Sequence, residues 1–445
     1  RPNDKTVIRT GFGVFYTPGT TVQNGNPYAS PVNNSATPWV PTLDGGFTPV
    51  ATFNNPFPNG LIPLPLRDPN YETLILGQLV VSNIPNDRTP YMTNWNFDVQ
   101  RDLGGGFTLD LAYVGNRGVH LYAPGGLVCN GMGFDQIPYA DLSLGTQLLQ
   151  QVKNPFYGIV KAGPLSLPTV QYGQLLLPYP QYTGAYSATT AAFDTVYHAL
   201  QSRVQKRFSS GGTLLVSFEY AKNIGNADTM TGYSEYYQPG EIQDYYNLRG
   251  ERSELSYNAP LRGVAAYVLP LPLGKGKKFL TGATAVVDKI VSGWGISGIT
   301  TFQSGFPIPL LAQPTSLSTY FNAGPPRPNI TAGCDPAIGG AAQDKLTKWF
   351  NTSCYSQPSS FGFGDEPRAD SHARTHGINN WDFSLTKDTK ITERFSLSYR
   401  AEVFNLFNRV QFNPPGNQVG SSLFGVVSGQ LNNPRLIQMA LRLTY

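Results

Sequence analysis

The chain has 445 residues, of which 40% are hydrophobic and only 13% are charged, well below the roughly 25% charge of an average soluble domain. The net charge of +4 is spread thinly apart from GKGKK at 274–278, which argues against a nucleic-acid-binding protein. No run of about 18 apolar residues is present, so no membrane-spanning helix is predicted, whereas the strands of a membrane β-barrel need only about 9–11 residues each.

Alternation of apolar and polar residues predicts an all-β chain. In TLLVSFEYA, for example, Val216 and Phe218 alternate with Ser217 and Glu219, so that one face of the strand is apolar and the other carries a charge. The predicted strands are, in chain order, 7–17, 91–103, 106–121, 193–208, 212–224, 256–270, 294–306, 378–390, 395–407 and 436–445.

The connections between these strands are alternately long and short. The long connections are 18–90, 122–192, 225–255, 307–377 and 408–435, and tight turns are predicted at 103–107 and 208–213. This asymmetry is typical of a transmembrane antiparallel outer-membrane β-barrel with short periplasmic turns and long extracellular loops. One connection on the short-turn side, 271–293, is longer, and its apolar spacing predicts a short amphipathic helix around 286–291.

The final stretch, IQMALRLTY, ends the chain on an aromatic ring. Its apolar side chains at alternate positions, such as Met439 and Leu441, are expected to face lipid, while Arg442 faces the lumen. We interpret Tyr445 as the signal that the barrel-assembly machinery reads by pairing with this strand, because an unpaired edge exposes backbone groups that a bilayer cannot satisfy.

Six segments spread over nearly the whole chain carry a resemblance to one family. They are VIRTGFGVFY (7–16), NWNFDVQRDLGGGFTLDLAYVGNRGVHL (94–121), YHALQSRVQKRFSSGGTLLVSFEYAKNI (197–224), SGWGISGITTFQSGFPIPL (292–310), INNWDFSLTKDTKITERFSLSYRAEVFNLFNRVQF (378–412) and the terminal strand. Together they resemble the C-terminal barrel of Oar-like TonB-dependent outer-membrane receptors. The segment AEVFNLFN, followed by the aromatic end, is the most specific part.

The resemblance implies a bacterial outer-membrane location and a receptor that takes up a solute. In that family a carboxypeptidase-regulatory-like domain and a plug precede a barrel of about 22 strands. Residues 1–445 are therefore expected to be the C-terminal part of such a barrel, without plug or signal peptide. The TonB/ExbB/ExbD energising complex would then act through a plug that is not in this chain.

Charged residues on the polar faces of the strands are expected to line the lumen, where they contact the plug or a solute, or are simply hydrated. They are Asp98, Asp110, Arg203, Arg207, Glu219, Arg400, Glu402 and Arg442. Trp95, Phe97, Phe218, Phe395 and Leu397 are expected to face lipid. Such a pattern suits a water-filled barrel whose outer surface is apolar.

The loops contain the remaining candidates. Exposed tyrosines bind ligands with little entropy cost, so Tyr236, Tyr237, Tyr245 and Tyr246 are candidate ligand contacts; the alternative is a loop that packs on itself. In an oxidising compartment Cys334 and Cys354 could pair and leave Cys129 free. No catalytic or metal-binding motif is found, so we expect neither an enzyme, a cofactor nor a metal.

Two functions remain open at this point. The first is a TonB-dependent receptor that takes up an unidentified substrate. The second is a structural or adhesive surface protein that uses the barrel as an anchor and the long loops as an interaction surface.

Overall fold

The computed structural model describes residues 3–16, 49, 51–58, 60–61, 73, 75–81, 88–122, 132–161, 163–187, 190–226, 228 and 242–445. Within these residues, ten long strands form one antiparallel sheet in chain order, with β1 and β10 at its two open edges. The strands are β1 (Thr6–Tyr16), β2 (Tyr91–Gly104), β3 (Phe107–Tyr122), β4 (Ala191–Arg207), β5 (Thr213–Gly225), β6 (Leu261–Pro270), β7 (Trp294–Gln303), β8 (Ile378–Lys390), β9 (Ser396–Phe404) and β10 (Leu436–Thr444). All ten predicted strands are confirmed.

Several strand ends differ from the prediction for local reasons. β6 begins at 261 rather than 256, since Pro260 has no backbone N–H to donate to the sheet. β9 ends at 404 rather than 407 because Asn405 adopts a φ of 53°, a left-handed conformation that asparagine tolerates better than most residues. The predicted lipid-facing residue Phe395 lies in the turn before β9, where its N–H donates to Thr392 Oγ1 at 3.1 Å.

Cross-strand register gives the sheet two unlike faces. The apolar face contains Phe12, Trp95, Phe97, Tyr113, Leu200, Phe218, Phe302, Phe383, Leu397, Met439 and Leu441. Its side chains are largely uncovered, and Phe12 is 74% and Leu441 68% exposed. An apolar face exposed in this way is what the lipid-facing wall of a barrel requires.

The hydrophobic cores lie in the long connections. We call the described parts of these connections, 132–187, 242–260, 304–377 and 405–435, the cap; the antiparallel order of the strands brings them to the same end of the sheet. One core joins Ile308 and Phe350 to Val419, and another joins Ile137 and Leu148 to Phe321. The cap connections therefore pack on one another instead of extending separately.

Short elements support the cap. Its paired strands are Pro307–Ile308 with Asp370–Arg374, Asn329–Ile330 with Tyr355–Ser356, Gln151–Lys153 with Thr169–Gln171, and Gly184–Ser187 with Met132–Gly133. Gly184–Ser187 also pairs with Leu79–Val81 of the first connection, and Ser253–Glu254 extends the main sheet at β5. Its helices are α2 (Ser316–Tyr320) and the 3-10 turns Tyr139–Leu149, Pro164–Ser166, Tyr172–Leu176, Ala342–Lys345 and Thr352–Cys354.

The predicted disulfide is confirmed in the cap. Cys334 and Cys354 are bonded, with their Cα atoms 5.5 Å apart. Cys354 is fully buried in the core that contains Phe350 and Tyr355. Cys129 lies outside the described residues.

The other end of the sheet has the tight turns. The turn between β2 and β3 uses Gly105 and Gly106, both at positive φ, and the connection between β6 and β7 contains α1 (Ala285–Val291), which confirms the predicted helix. Among the described residues, no helix combines the length and hydrophobicity that crossing a membrane requires.

Candidate functional site

Register places all eight predicted lumenal charges on one face of the sheet, opposite the apolar face. This polar face carries Arg9, Asp98, Asp110, Arg203, Arg207, Glu219, Arg262, Arg400, Glu402 and Arg442. Of these, Arg9 and Arg262 were not predicted. Both arginines follow an apolar residue of the opposite face, Ile8 or Leu261, in the sequence. The strand pairing places Arg9 opposite Asp98 and Arg262 opposite Glu219.

Five of these side chains meet on the adjacent strands β1 to β5, and we call Arg9, Asp98, Asp110, Arg203 and Glu219 the charged cluster. Arg9 lies directly opposite Asp98, and Asp110 opposite Arg203. The Nη1 atom of Arg9 is 3.3 Å from Asp98 Oδ1. Facing opposite charges stabilise an antiparallel strand pair by roughly 0.2–1 kcal/mol.

Polar neighbours orient the carboxylates of the charged cluster. Glu219 accepts hydrogen bonds from Gln201 Nε2 at 2.8 Å and from the Tyr197 hydroxyl at 3.2 Å. Asp110 Oδ2 accepts a long bond of 3.4 Å from Gln100 Nε2. Asp110 Oδ1 is buried and accepts no hydrogen bond from a described donor, and the Asp98 carboxyl lies next to the Asp110 carboxyl. Asp98 and Asp110 therefore form an acidic pair within the cluster.

Two hollows lie beside Arg262, one at the charged cluster and the other at the cap. The first, about 480 Å³, is lined by Asp98, Asp110, Arg203, Glu219 and Arg262. The second, about 980 Å³, is lined by residues of the cap such as His376, Arg409 and Phe412 and also by Phe218 and Phe302 of the apolar face. Volumes of about 300–1,000 Å³ suit small organic solutes.

His376 forms part of the wall of the larger hollow. Burial, followed by the nearby Lys345 ammonium group, lowers the pKa of His376. Its Nδ1 accepts the Phe412 N–H at 3.3 Å, and its ring packs edge-on against Trp349 at 5.9 Å. The residue is thus a neutral packing group, and the described residues contain no group of metal-ligating side chains.

The remaining predicted charges lie apart from the cluster. Arg400 and Glu402 form an ion pair of 3.6 Å on β9, and Glu402 also accepts a bond from Gln438 at 2.5 Å. Arg442 faces Ser398 on the last strand pair. Arg207 lies opposite Thr213 beside a tight turn. The polar face therefore has one concentrated charged region and several isolated charges.

The cap is joined to the strand ends by buried ion pairs that the sequence did not predict. Arg368 lies 3.0 Å from Asp228, and both side chains are fully buried. Arg327 lies 2.6 Å from the buried Glu251. Arg368 also donates to the carbonyl oxygen of Gly225, the last residue of β5, at 3.0 Å. Removing one partner of a buried pair typically costs about 3–5 kcal/mol, so these contacts hold the loops of the cap to one another and to the end of β5.

The two candidate tyrosines that the structure describes take part in cap packing. Tyr245 contacts the core of Met132, Phe193 and Ile242, and its N–H donates to Gln136 Oε1 at 2.8 Å. The hydroxyl of Tyr246 donates to the carbonyl oxygen of Gln136 at 2.7 Å, while the side chain remains 47% exposed. Tyr236 and Tyr237 lie outside the described residues. A role in ligand binding for any of the four stays a prediction.

Comparisons with known proteins agree with a membrane barrel. The model of the outer membrane beta barrel domain family matches residues 1–438. No curated protein matches the chain. Solved structures similar to it include the outer membrane transporter YddB from Escherichia coli, at 10% identity and a TM-score of 0.40, over 83% of this chain and 34% of that chain. FpvA from P. aeruginosa is 8% identical to this chain, with a TM-score of 0.35. The match covers 99% of this chain and 31% of that chain.

The ferric citrate transporter FecA is 10% identical with a TM-score of 0.32, over 80% of this chain and 31% of that chain. The chain thus spans about a third of the length of these solved structures. The family match covers almost the whole sequence, and the two-faced antiparallel sheet is the architecture that the family's description requires. The chain therefore belongs to the outer membrane β-barrel domain family and resides in the bacterial outer membrane.

Proposed function

We propose that residues 1–445 are the C-terminal part of the barrel of a TonB-dependent receptor that takes up a small polar solute. The observation that carries the proposal is the charged cluster on the polar face, which lines a hollow of about 480 Å³. A wall that only anchors a surface protein needs no charged hollow of this kind.

The chemistry of the hollows suggests the type of solute. The charged cluster combines two arginines with three carboxylates, and four of the five side chains line one hollow. A solute with both hydrogen-bond donors and anionic groups would find partners among these carboxylates and arginines. In this proposal the TonB/ExbB/ExbD complex acts through a plug outside this chain, and the assembly machinery inserts the barrel.

The second candidate is a structural or adhesive surface protein. One observation favours it: the cap has hydrophobic cores and buried ion pairs of its own, and it exposes Tyr157, Tyr179 and Tyr320. Exposed tyrosines on a rigid support make good protein contacts. Deleting the gene should abolish solute uptake under the first candidate function and surface attachment under the second.

The experiment compares three strains: one with the full-length receptor, one without its gene, and one without the gene for TonB. All three grow in the same complex medium, and mass spectrometry identifies the solutes left in the spent medium. We expect the same polar solute to remain after growth of both deletion strains. Identical media from all three strains, with surface attachment lost only in the receptor deletion, would support the adhesive function instead.

A matched pair of variants then tests the site. Arg203→Ala removes a charge from the cluster, whereas Arg442→Ala removes one from the distant strand β10. At equal outer-membrane levels, we expect uptake of the identified solute to fall at least several-fold in the first variant and to stay near wild type in the second. Equal uptake by both variants would remove the charged cluster from the pathway.

A further inference from the structure

The connection 271–293 between β6 and β7 presents an apolar surface that the described residues leave exposed. α1 has no buried residue, and Val286 is 73% and Ile290 63% exposed. Phe279 and Leu280, just before the helix, are also more than half exposed. Such a continuous apolar patch at a surface marks a membrane or protein contact.

The orientation of α1 shows that this exposure is built into the fold. Residues three and four apart share a helix face, so Val286 and Ile290 lie on one side and Asp288 on the other. Asp288 Oδ1 accepts the N–H of Lys275 at 2.6 Å. The polar side of α1 is therefore turned toward the protein, and the apolar side is turned away from it.

α1 is attached to the apolar face of the sheet. Trp294, the first residue of β7, has the same side-chain direction as Phe302 on that face, and its Nε1–H donates to the carbonyl oxygen of Ile290 at 3.0 Å. The ammonium group of Lys387 lies 5.1 Å from the centre of the Trp294 ring. Tryptophan beside lysine is typical of the boundary between lipid tails and head groups.

The charge of the connection fits a phospholipid surface. Residues 271–293 contain four lysines and one aspartate, a net charge of +3 (4 − 1). Lys275, Lys277, Lys278 and Lys289 are all exposed, and Lys289 Nζ lies 3.4 Å from the carbonyl oxygen of Ile391 in the neighbouring tight turn. Lysines close to an anionic leaflet are attracted to its head groups.

We propose that 271–293 is a membrane-surface anchor that binds anionic phospholipid head groups of the leaflet at the tight-turn end of the barrel. Val286, Val287 and Ile290 enter the boundary between head groups and acyl chains, and the lysines contact the phosphates. The proposal depends on the outer-membrane location and does not depend on transport.

The first test measures contact with lipid chains. Full-length receptor in a Cys129→Ser background carries a fluorophore at Ile290→Cys or, as a control, at Ser210→Cys in the tight turn between β4 and β5. Both proteins are placed in vesicles of phosphatidylethanolamine and phosphatidylglycerol with brominated acyl chains. We expect strong quenching at 290 and little at 210. Equal quenching at both positions would overturn the proposal. A probe at 290 with blue-shifted but unquenched fluorescence would also overturn it, because it would show that protein covers α1.

The second test measures head-group binding. The variant with Lys275, Lys277, Lys278 and Lys289 all changed to glutamine is purified from membranes and its bound phosphatidylglycerol is quantified. We expect at least a threefold loss, whereas Lys161→Gln on the cap should retain the wild-type amount. An unchanged amount would refute the role of the lysines, and the probe at Ile290 remains a test if the lysine variant does not fold.

Discussion

Replacing Glu366 by glutamine should remove the contribution of this residue to the pH dependence of cap stability around residues 365–374. Glu366 is 1% exposed, and neither of its carboxylate oxygens has a hydrogen-bond donor among the described residues. Burial, followed by the neighbouring Asp370 and Asp365 carboxylates, raises its pKa to about 8, against the smaller opposing effect of Arg327. A protonated Glu366 can donate to Asp370, which an ionised one cannot.

The magnitude follows from the pKa difference. Below the ordinary value of 4.5, Glu366 is protonated in both the closed and the opened cap and adds no pH dependence. Between that value and about 8, the closed cap holds more protons than the opened one, so stability falls as the pH rises. Each pH unit of this window costs about 1.4 kcal/mol, and the loss from pH 5 to pH 7 is about 2.5 kcal/mol.

Hydrogen exchange of the cap amides in the full-length protein measures this opening free energy. After correction for intrinsic exchange rates, we expect the drop for 365–374 between pH 5 and pH 7 to be about 2.5 kcal/mol larger in wild type than in Glu366→Gln. Glu393→Gln, at an exposed turn position, should behave as wild type. Parallel pH profiles for wild type and Glu366→Gln would refute the reasoning.

Three further predictions follow from the buried pair, the two faces and the last residue. Arg368→Met leaves Asp228 buried without its ion-pair partner and should lower the free energy of cap opening, measured by hydrogen exchange, by about 3–5 kcal/mol. Adding Asp228→Asn should recover most of this loss, whereas no change in the single variant would contradict the role of the pair. Phe218→Arg, on the apolar face, should destabilise the inserted barrel by about 2–4 kcal/mol and reduce outer-membrane yield, whereas the adjacent Ser217→Arg should be tolerated; the reverse order would invert the faces. Deleting Tyr445 should reduce insertion of the protein into the outer membrane without reducing its synthesis, while the Tyr445→Phe variant should insert normally. Equal outer-membrane yields for the deletion and wild type would argue against an assembly signal.

The strands and their faces could be predicted because they depend on a period-two pattern. Phe218 and Glu219 must point to opposite sides of a strand whatever surrounds them. Strand ends were less predictable, since they depend on single residues such as Asn405, whose positive φ stops β9. The helix at 285–291 was visible from the spacing of its valines and Ile290.

The cap could not be predicted because its contacts join distant parts of the chain. Nothing near Asp228 in the sequence indicates Arg368, and their pairing appears only after the strands have brought two loops together. For the same reason the charged cluster was predicted as separate lumenal residues. Arg9 joins it only through the pairing of β1 with β2.

The ion pair between Asp228 and Arg368 also constrains the order of biogenesis. The two residues belong to different loops that β6 and β7 separate along the chain. They can meet only after both strands have been placed and both loops have reached the same side of the membrane. This contact of the cap must therefore form after that part of the wall, and a protein stalled during insertion would carry its loops as separate, protease-sensitive segments on whichever side of the membrane they then occupy.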